Sequence, residues 1–181
     1  MQTDCRFSLS VMSDHYAEQI LGALGQVNLD HIRSRTDVLS TTYQGKRRHV
    51  IDALQAVFGH VNDGKTHITM EATFTKMDST PVDIMPTQTL LNPTSNHFNA
   101  QGKFSFYPLM VANYENYVNH VVNLAEQNGL YQNSIPYGAE LSGDVQILFA
   151  YFDEILAYAE THLDQYALQV MLSVNSPTKS V

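Results

Sequence analysis

The chain opens on alternation. Phe7, Leu9 and Val11 stand at every second position with polar neighbours between them, the period of a strand with one buried face. The period then lengthens. Tyr16, Ile20, Leu24 and Val27 recur at helical spacing, with Ser13 or Asp14 placed to cap them and Gly22 and Gly25 lowering intrinsic helix stability. Two short β-prone segments follow at residues 32–37 and 38–44. The clearest helical stripe of the chain comes next: Val50, Ala53, Leu54, Val57, Phe58 and Val61. Ile68, Met70, Ala72 and Phe74 then alternate again and predict a closing strand.

The same order of signals returns about a hundred residues later. Arg6-Phe7-Ser8-Leu9 is echoed by Lys103-Phe104-Ser105-Phe106, 97 positions on. From Gly45 and Gly143 onward the offset holds at 98, pairing Val50 with Leu148, Leu54 with Phe152, Val57 with Ile155, Met70 with Leu168 and Phe74 with Leu172. Apolar character kept in register over thirty residues marks an internal duplication. In the second copy Tyr114, Tyr117, Val118 and Val121 supply the first helix, and residues 131–142, broken by Pro136 and closed by Gly143, supply the strand pair. Tyr166, Leu168, Val170 and Leu172 supply the last strand.

The order β-α-β-β-α-β is the ferredoxin-like split unit, with both helices on one face of a four-stranded antiparallel sheet. The predicted fold class is α+β: tandem duplicated ferredoxin-like repeats with antiparallel sheets. Repeats are expected over 1–76 and 103–177, with a connector over 77–102 containing Pro81, Pro86 and Pro93. Each unit leaves one sheet face uncovered. Cover comes from stacking the sheets, from extending them edge to edge, or from a second chain.

Composition narrows the function classes. Eighteen acids against ten bases give a net charge of −8, which argues against nucleic acid as a partner, since neutralising phosphates needs a concentrated basic face. No stretch reaches the 18 or so apolar residues of a membrane span, and the N-terminal residues lack a leader pattern. The single cysteine, Cys5, admits no intramolecular disulfide. A cytoplasmic protein without membrane insertion is expected.

Eight histidines do not make a metal site by their spacing. His49 and His60 lie eleven residues apart, about 16 Å along a helix, and no H-E-x-x-H or acidic calcium loop occurs. His49 and Asp52 could face each other with Ser40 or Thr41 nearby, but no nucleophile elbow is present and an exposed helical His-Asp pair is the simpler reading. Glycine-rich phosphate loops are absent as well. The expectation is therefore a protein with no catalytic residues, no metal and no cofactor. The stretch Thr36-Asp37-Val38-Leu39-Ser40-Thr41-Thr42 is unusually polar. It is either an edge strand wetted on both faces or the lining of a ligand cavity, where buried hydroxyls and carboxylates need partners. Ten tyrosines and seven methionines suit the walls of a pocket for a flat ring, and suit an ordinary core almost equally well.

Six segments in order carry a family resemblance. Arg-Phe-Ser-Leu-x-x-Met-Ser-Asp at 6–14, Thr-Asp-x-x-Ser-Thr at 36–41, His-Val-x-Asp-Ala at 49–53, His-Ile-x-Met-x-x-Thr-Phe at 67–74, Phe-Tyr-Pro at 106–108 and Leu-Ser-x-Asn-Ser-Pro at 172–177 together resemble the YkoF-type thiamine and hydroxymethylpyrimidine binding proteins. The resemblance implies a binding protein for thiamine or its hydroxymethylpyrimidine half, tied to uptake or salvage. It also implies a homodimer, one pocket per repeat, and a vitamin transporter as a partner. Carried over by position, it places ligand contacts at Asp37, Ser40 and Thr41, with His67, Met70, Tyr107 and Glu140 as further candidates. An aminopyrimidine edge offers an amine donor and ring-nitrogen acceptors that such groups complement.

Departures from the family pattern make the copies unequal. Ser10-Val11 stands where the pattern has Tyr-Pro, while the second copy keeps Tyr107-Pro108 but reads Gly138-Ala139 for Ser40-Thr41 and Ile135 for Asp37. One dominant site in the first repeat is expected. A regulatory ferredoxin-like or ACT-like module sensing another small metabolite is the competing reading, because fold alone does not fix function.

Overall fold

The computed structural model describes residues 2–76 and 89–178. Two βαββαβ units follow one another: β1 Thr3–Val11, α1 Tyr16–Gly25, β2 Ile32–Thr36, β3 Thr41–Gly45, α2 Arg47–Val61 and β4 Ile68–Lys76, then β5 Asn99–Leu109, α3 Tyr114–Gln127, β6 Tyr131–Ile135, β7 Gly138–Asp144, α4 Val145–His162 and β8 Gln165–Val174. Their strands merge into one eight-stranded antiparallel sheet of order β2-β3-β1-β4-β8-β5-β7-β6. Of the ways to cover an exposed edge, the chain uses lateral extension. The last strands of the two units pair, from Ile68 opposite Val174 to Thr75 opposite Ala167.

Side-chain alternation divides the sheet into a buried and an open face. Cys5 and Phe7 of β1, Met70 and Phe74 of β4, Phe104 and Phe106 of β5, and Leu168 and Leu172 of β8 are all buried beneath the helices. Paired residues share a face, so one apolar layer runs unbroken across the seam between units. The stripes read from the sequence, Val50, Leu54 and Val57 on α2 and Leu148, Phe152 and Ile155 on α4, are fully buried on that layer. Arg47 fastens the two helices. Its guanidinium pairs with Asp153, donates from Nε to Glu160 at 3.1 Å, and donates to the Asp153 carbonyl at 2.7 Å. Thr3, buried at the start of β1, donates its hydroxyl to the same Glu160 at 3.1 Å.

Three expectations need correcting. Neither Ser13 nor Asp14 caps α1: the helix starts after His15, and the Ser13 hydroxyl instead accepts the His15 N–H at 3.1 Å in the preceding turn. The two strands expected at 32–37 and 38–44 are shorter, because Asp37 to Ser40 form a hairpin loop that takes residues from both. His49 and Asp52 are buried, not exposed, at 6% and 7% accessibility. The Asp52 carboxylate is spent on the connector, accepting from the backbone N–H groups of Leu91 and Asn92 and from the Asn92 amide. Thr94 is held by Gln146, and the connector thereby lies along α2 up to the start of β5. Pro81 and Pro86 lie outside the described residues.

Candidate functional site

The open face is built from the positions the hydrophobic alternation leaves over: Arg6 and Ser8 on β1, Glu71 and Thr73 on β4, Gln169 and Met171 on β8, Lys103 and Ser105 on β5. A trough of about 560 Å³ crosses the centre of this face. The loop between β2 and β3 bounds one end with Asp37, Leu39 and Ser40, and Ile135 before the β6–β7 turn bounds the other. Two ranks of side chains cross the open face and supply the floor where they pass through the trough. Strand register aligns Arg35, Thr42, Arg6, Thr73, Gln169 and Ser105 in one, and Ser8, Glu71, Met171, Lys103 and Glu140 in the next.

The floor therefore offers opposite charges close together, hydroxyls, and a central thioether. Met171 is 44% exposed and Leu39 83%, two apolar side chains that can lie against a flat ring. Glu71 has a carboxylate available for an amine donor. Beside this trough lies a smaller hollow of about 400 Å³ that shares Lys103 and Met171 and is lined also by Asn133, Glu140 and Ser173.

The residues singled out by sequence scatter over this frame. Asp37 and Ser40 line the trough together. One Asp37 oxygen accepts the backbone N–H groups of Leu39 at 2.8 Å and Ser40 at 2.9 Å, which with nearby Arg35 holds the carboxyl below the usual range. The Ser40 side chain bonds to the same carboxylate and lowers it further. Thr41 faces the helices, buried, with its hydroxyl 3.0 Å from that of Thr36, and does not line the trough. Met70 is buried in the core on the same helical side, one position away in alternation from the open Glu71. Neither is brought to the open face.

In the second repeat, Glu140 lines the smaller hollow, where Asn133 donates to it at 3.0 Å and Lys103 pairs with it at 2.9 Å; both lower its pKa. His67 contacts the Ser173 hydroxyl at 3.0 Å at the far end of that hollow. Tyr107 lies outside both, its ring 5.2 Å from Tyr137, which in turn stacks on Tyr114 at 5.5 Å. Tyr137 holds this place in a left-handed turn with φ 62°. The absence of a counterpart to Ser40 has a steric cause. A Cβ at Gly138 would sit 1.9 Å from the Phe104 carbonyl oxygen, so the backbone approach admits glycine alone.

Arg6, Glu71, Gln169 and Met171 were not singled out from sequence. Their signal was present as the polar half of each alternating strand, but that half reads as solvated surface until the hairpin loops are seen to wall it in.

No helix among the described residues is long and apolar enough to cross a membrane. The chain is 28% identical over 184 residues to a Bacillus subtilis (strain 168) protein named "Putative HMP/thiamine-binding protein YkoF", covering 96% of this chain and 90% of that relative. The model of the YKOF-related family matches residues 2–79 and again 99–179, one match for each βαββαβ unit. With both units matched, the chain belongs to the YKOF-related family.

Proposed function

We propose that this protein binds thiamine or its hydroxymethylpyrimidine half without transforming it, and that the trough on the open sheet face is where the ring sits. The observation that carries this reading is the meeting of Asp37 and Ser40 with Glu71, Ser8 and Met171 around one cavity. An aminopyrimidine presents a donor amine flanked by acceptor nitrogens on one edge and two flat faces. A carboxylate, Glu71 or Asp37, accepts from the amine; the Ser8 or Ser40 hydroxyl donates to a ring nitrogen; Met171 and Leu39 take the faces. Carboxylates near the ring also favour the positive charge of a thiazolium. The name of the relative supports the same ligand class.

The trough draws on both repeats, so this reading has one principal site per chain in place of one in each repeat. The homodimer that the family resemblance implies is part of this reading. The cell would use such a protein in uptake or salvage of the vitamin, in the cytoplasm, delivering to or receiving from a transporter. Isothermal titration with thiamine, hydroxymethylpyrimidine and a panel of amino acids tests the assignment. Saturable binding of either of the first two at a stoichiometry near one supports it; binding confined to an amino acid transfers the site to a metabolite-sensing role.

A further inference from the structure

A third hollow, of about 360 Å³, lies at the sheet edge between α3 and the β6–β7 hairpin, and it meets the trough only at Ile135. One wall comes from α3. Tyr114, Val118 and Val122 recur every fourth residue and so share a helix face, running from an exposed phenol to two half-buried valines over about 12 Å. Ile135, Pro136 and Tyr137 make the other wall. Their turn is pinned from behind, because the Phe106 N–H donates to the Tyr137 carbonyl at 2.8 Å and the Ser105 hydroxyl donates to the Pro136 carbonyl at 3.4 Å. The hollow is therefore preformed, apolar along its length and aromatic at one end.

The backbone is least relaxed at that aromatic end. Among the described residues, four besides glycine have left-handed φ, and three of them belong to the turns that carry the rings: Met110 at 59° and Asn113 at 56° ahead of α3, and Tyr137 at 62° in the hairpin. Such backbone persists only where its surroundings enforce it, and it gathers at binding sites. Here it produces a row of rings, Tyr107 5.2 Å from Tyr137 and Tyr137 5.5 Å from Tyr114, with Tyr137 and Tyr114 still 42% and 40% exposed.

Charge selects the ligand class. Among the described residues Glu115 is the only charged side chain lining the hollow; it is exposed and forms no ion pair. Its carboxylate is felt at the rings: the hydrogen bond with Tyr137 raises the Tyr114 phenol most, and the charge of Glu115 raises it further. The start of α3 supplies about half a positive charge, which one full carboxylate outweighs. A net negative potential beside tyrosine faces, at the mouth of an apolar channel, suits a cation carried on an apolar body.

We infer that this hollow is a second binding site, for an organic ammonium ion: the protonated amine lies between Glu115 and the tyrosine rings, and its apolar body runs along Val118, Val122 and Ile135. Nothing at this site depends on the trough or on a pyrimidine ligand.

Amide NMR titration with phenethylammonium and with its neutral analogue phenethyl alcohol gives the test. The ammonium is expected to shift amides within 114–122 and 134–138 and to bind about tenfold more tightly than the alcohol. Glu115→Gln is expected to bring that ratio close to one at an unchanged melting temperature, and saturating hydroxymethylpyrimidine is expected to leave the ammonium affinity as it was. The site is overturned by the absence of saturable shifts at these amides, by equal affinities of the two probes for wild type, or by a ratio that survives Glu115→Gln. Shifts centred on Ser8, Glu71 and Met171, or competition by hydroxymethylpyrimidine, overturn it as well, since both would put the ammonium with the pyrimidine.

Discussion

Replacing Arg47 by methionine removes a cation that ties α2 to α4, and its cost follows from how much water reaches the cluster. Arg47, Asp153 and Glu160 side chains are 19%, 29% and 17% exposed, so they lie between the surface and the interior. An exposed ion pair contributes about 0–1 kcal/mol, whereas stripping a buried pair of one partner costs about 3–5 kcal/mol because a charge is left behind. Here two carboxylates are left, both on α4, on a protein already strongly acidic. The discounted loss is roughly 2–3 kcal/mol, or a melting temperature lower by roughly 4–12 °C for a chain of this size. Glu160→Gln is expected to cost less, since the amide oxygen can still accept from Arg47 Nε while the amide NH2 in the other oxygen's place donates to the Thr3 hydroxyl, which can turn to accept. Urea denaturation of the two variants beside wild type reads the difference. Arg47→Met within about 0.5 kcal/mol of wild type, the range of an ordinary surface change, refutes the view that this cluster joins the two units.

Four further outcomes follow from particular residues. Gly138→Ala is expected to cost about 3 kcal/mol or more, since the new methyl meets a carbonyl oxygen, whereas Gly22→Ala, with open space around it in α1, is expected to gain about 0.5–1 kcal/mol; thermal melts compare them. Cys5 is fully buried and burial pushes its thiol well up, so an aromatic disulfide reagent at pH 8 should leave the native protein unlabelled and react on unfolding; rapid native labelling contradicts this. Asp63 is held at about 2 by the hydroxyl and N–H of Thr66 and the N–H of Lys65. Because its folded value lies below the ordinary 3.8, its contribution to the turn before β4 is present above about pH 4 and is lost as pH falls toward 2; an NMR titration with a midpoint near 4 refutes it. Met70→Ala should cost about 2–5 kcal/mol by opening a core cavity while leaving ligand affinity unchanged in calorimetry, and a large affinity loss would return Met70 to the site.

The fold was legible because burial on one side of a sheet writes itself directly into alternation and helical stripes. Phe7, Val50, Met70 and their partners near 98 residues on are all in the core. Sheet joining was not legible. β4 and β8 read alike as half-buried strands, and nothing in Ile68 to Phe74 says which edge they meet. The site was legible in part: Asp37 and Ser40 announce a loop rich in polar groups, but Thr41, one residue on, turns to the helices because side chains in a strand alternate. Met70 and Glu71 show the same limit, adjacent in sequence and on opposite faces. Arg6 and Met171 stayed hidden since the trough gathers residues from five strands and one loop that are remote along the chain.

The account turns on the open face being the binding face. Its most direct test is calorimetric titration of hydroxymethylpyrimidine into wild type and into the Ser40→Ala/Glu71→Gln double variant. The account predicts an affinity loss of at least about tenfold, the size of one lost charge-assisted hydrogen bond, at an unchanged melting temperature. Wild-type affinity in the double variant would contradict it and place the ligand elsewhere on the molecule.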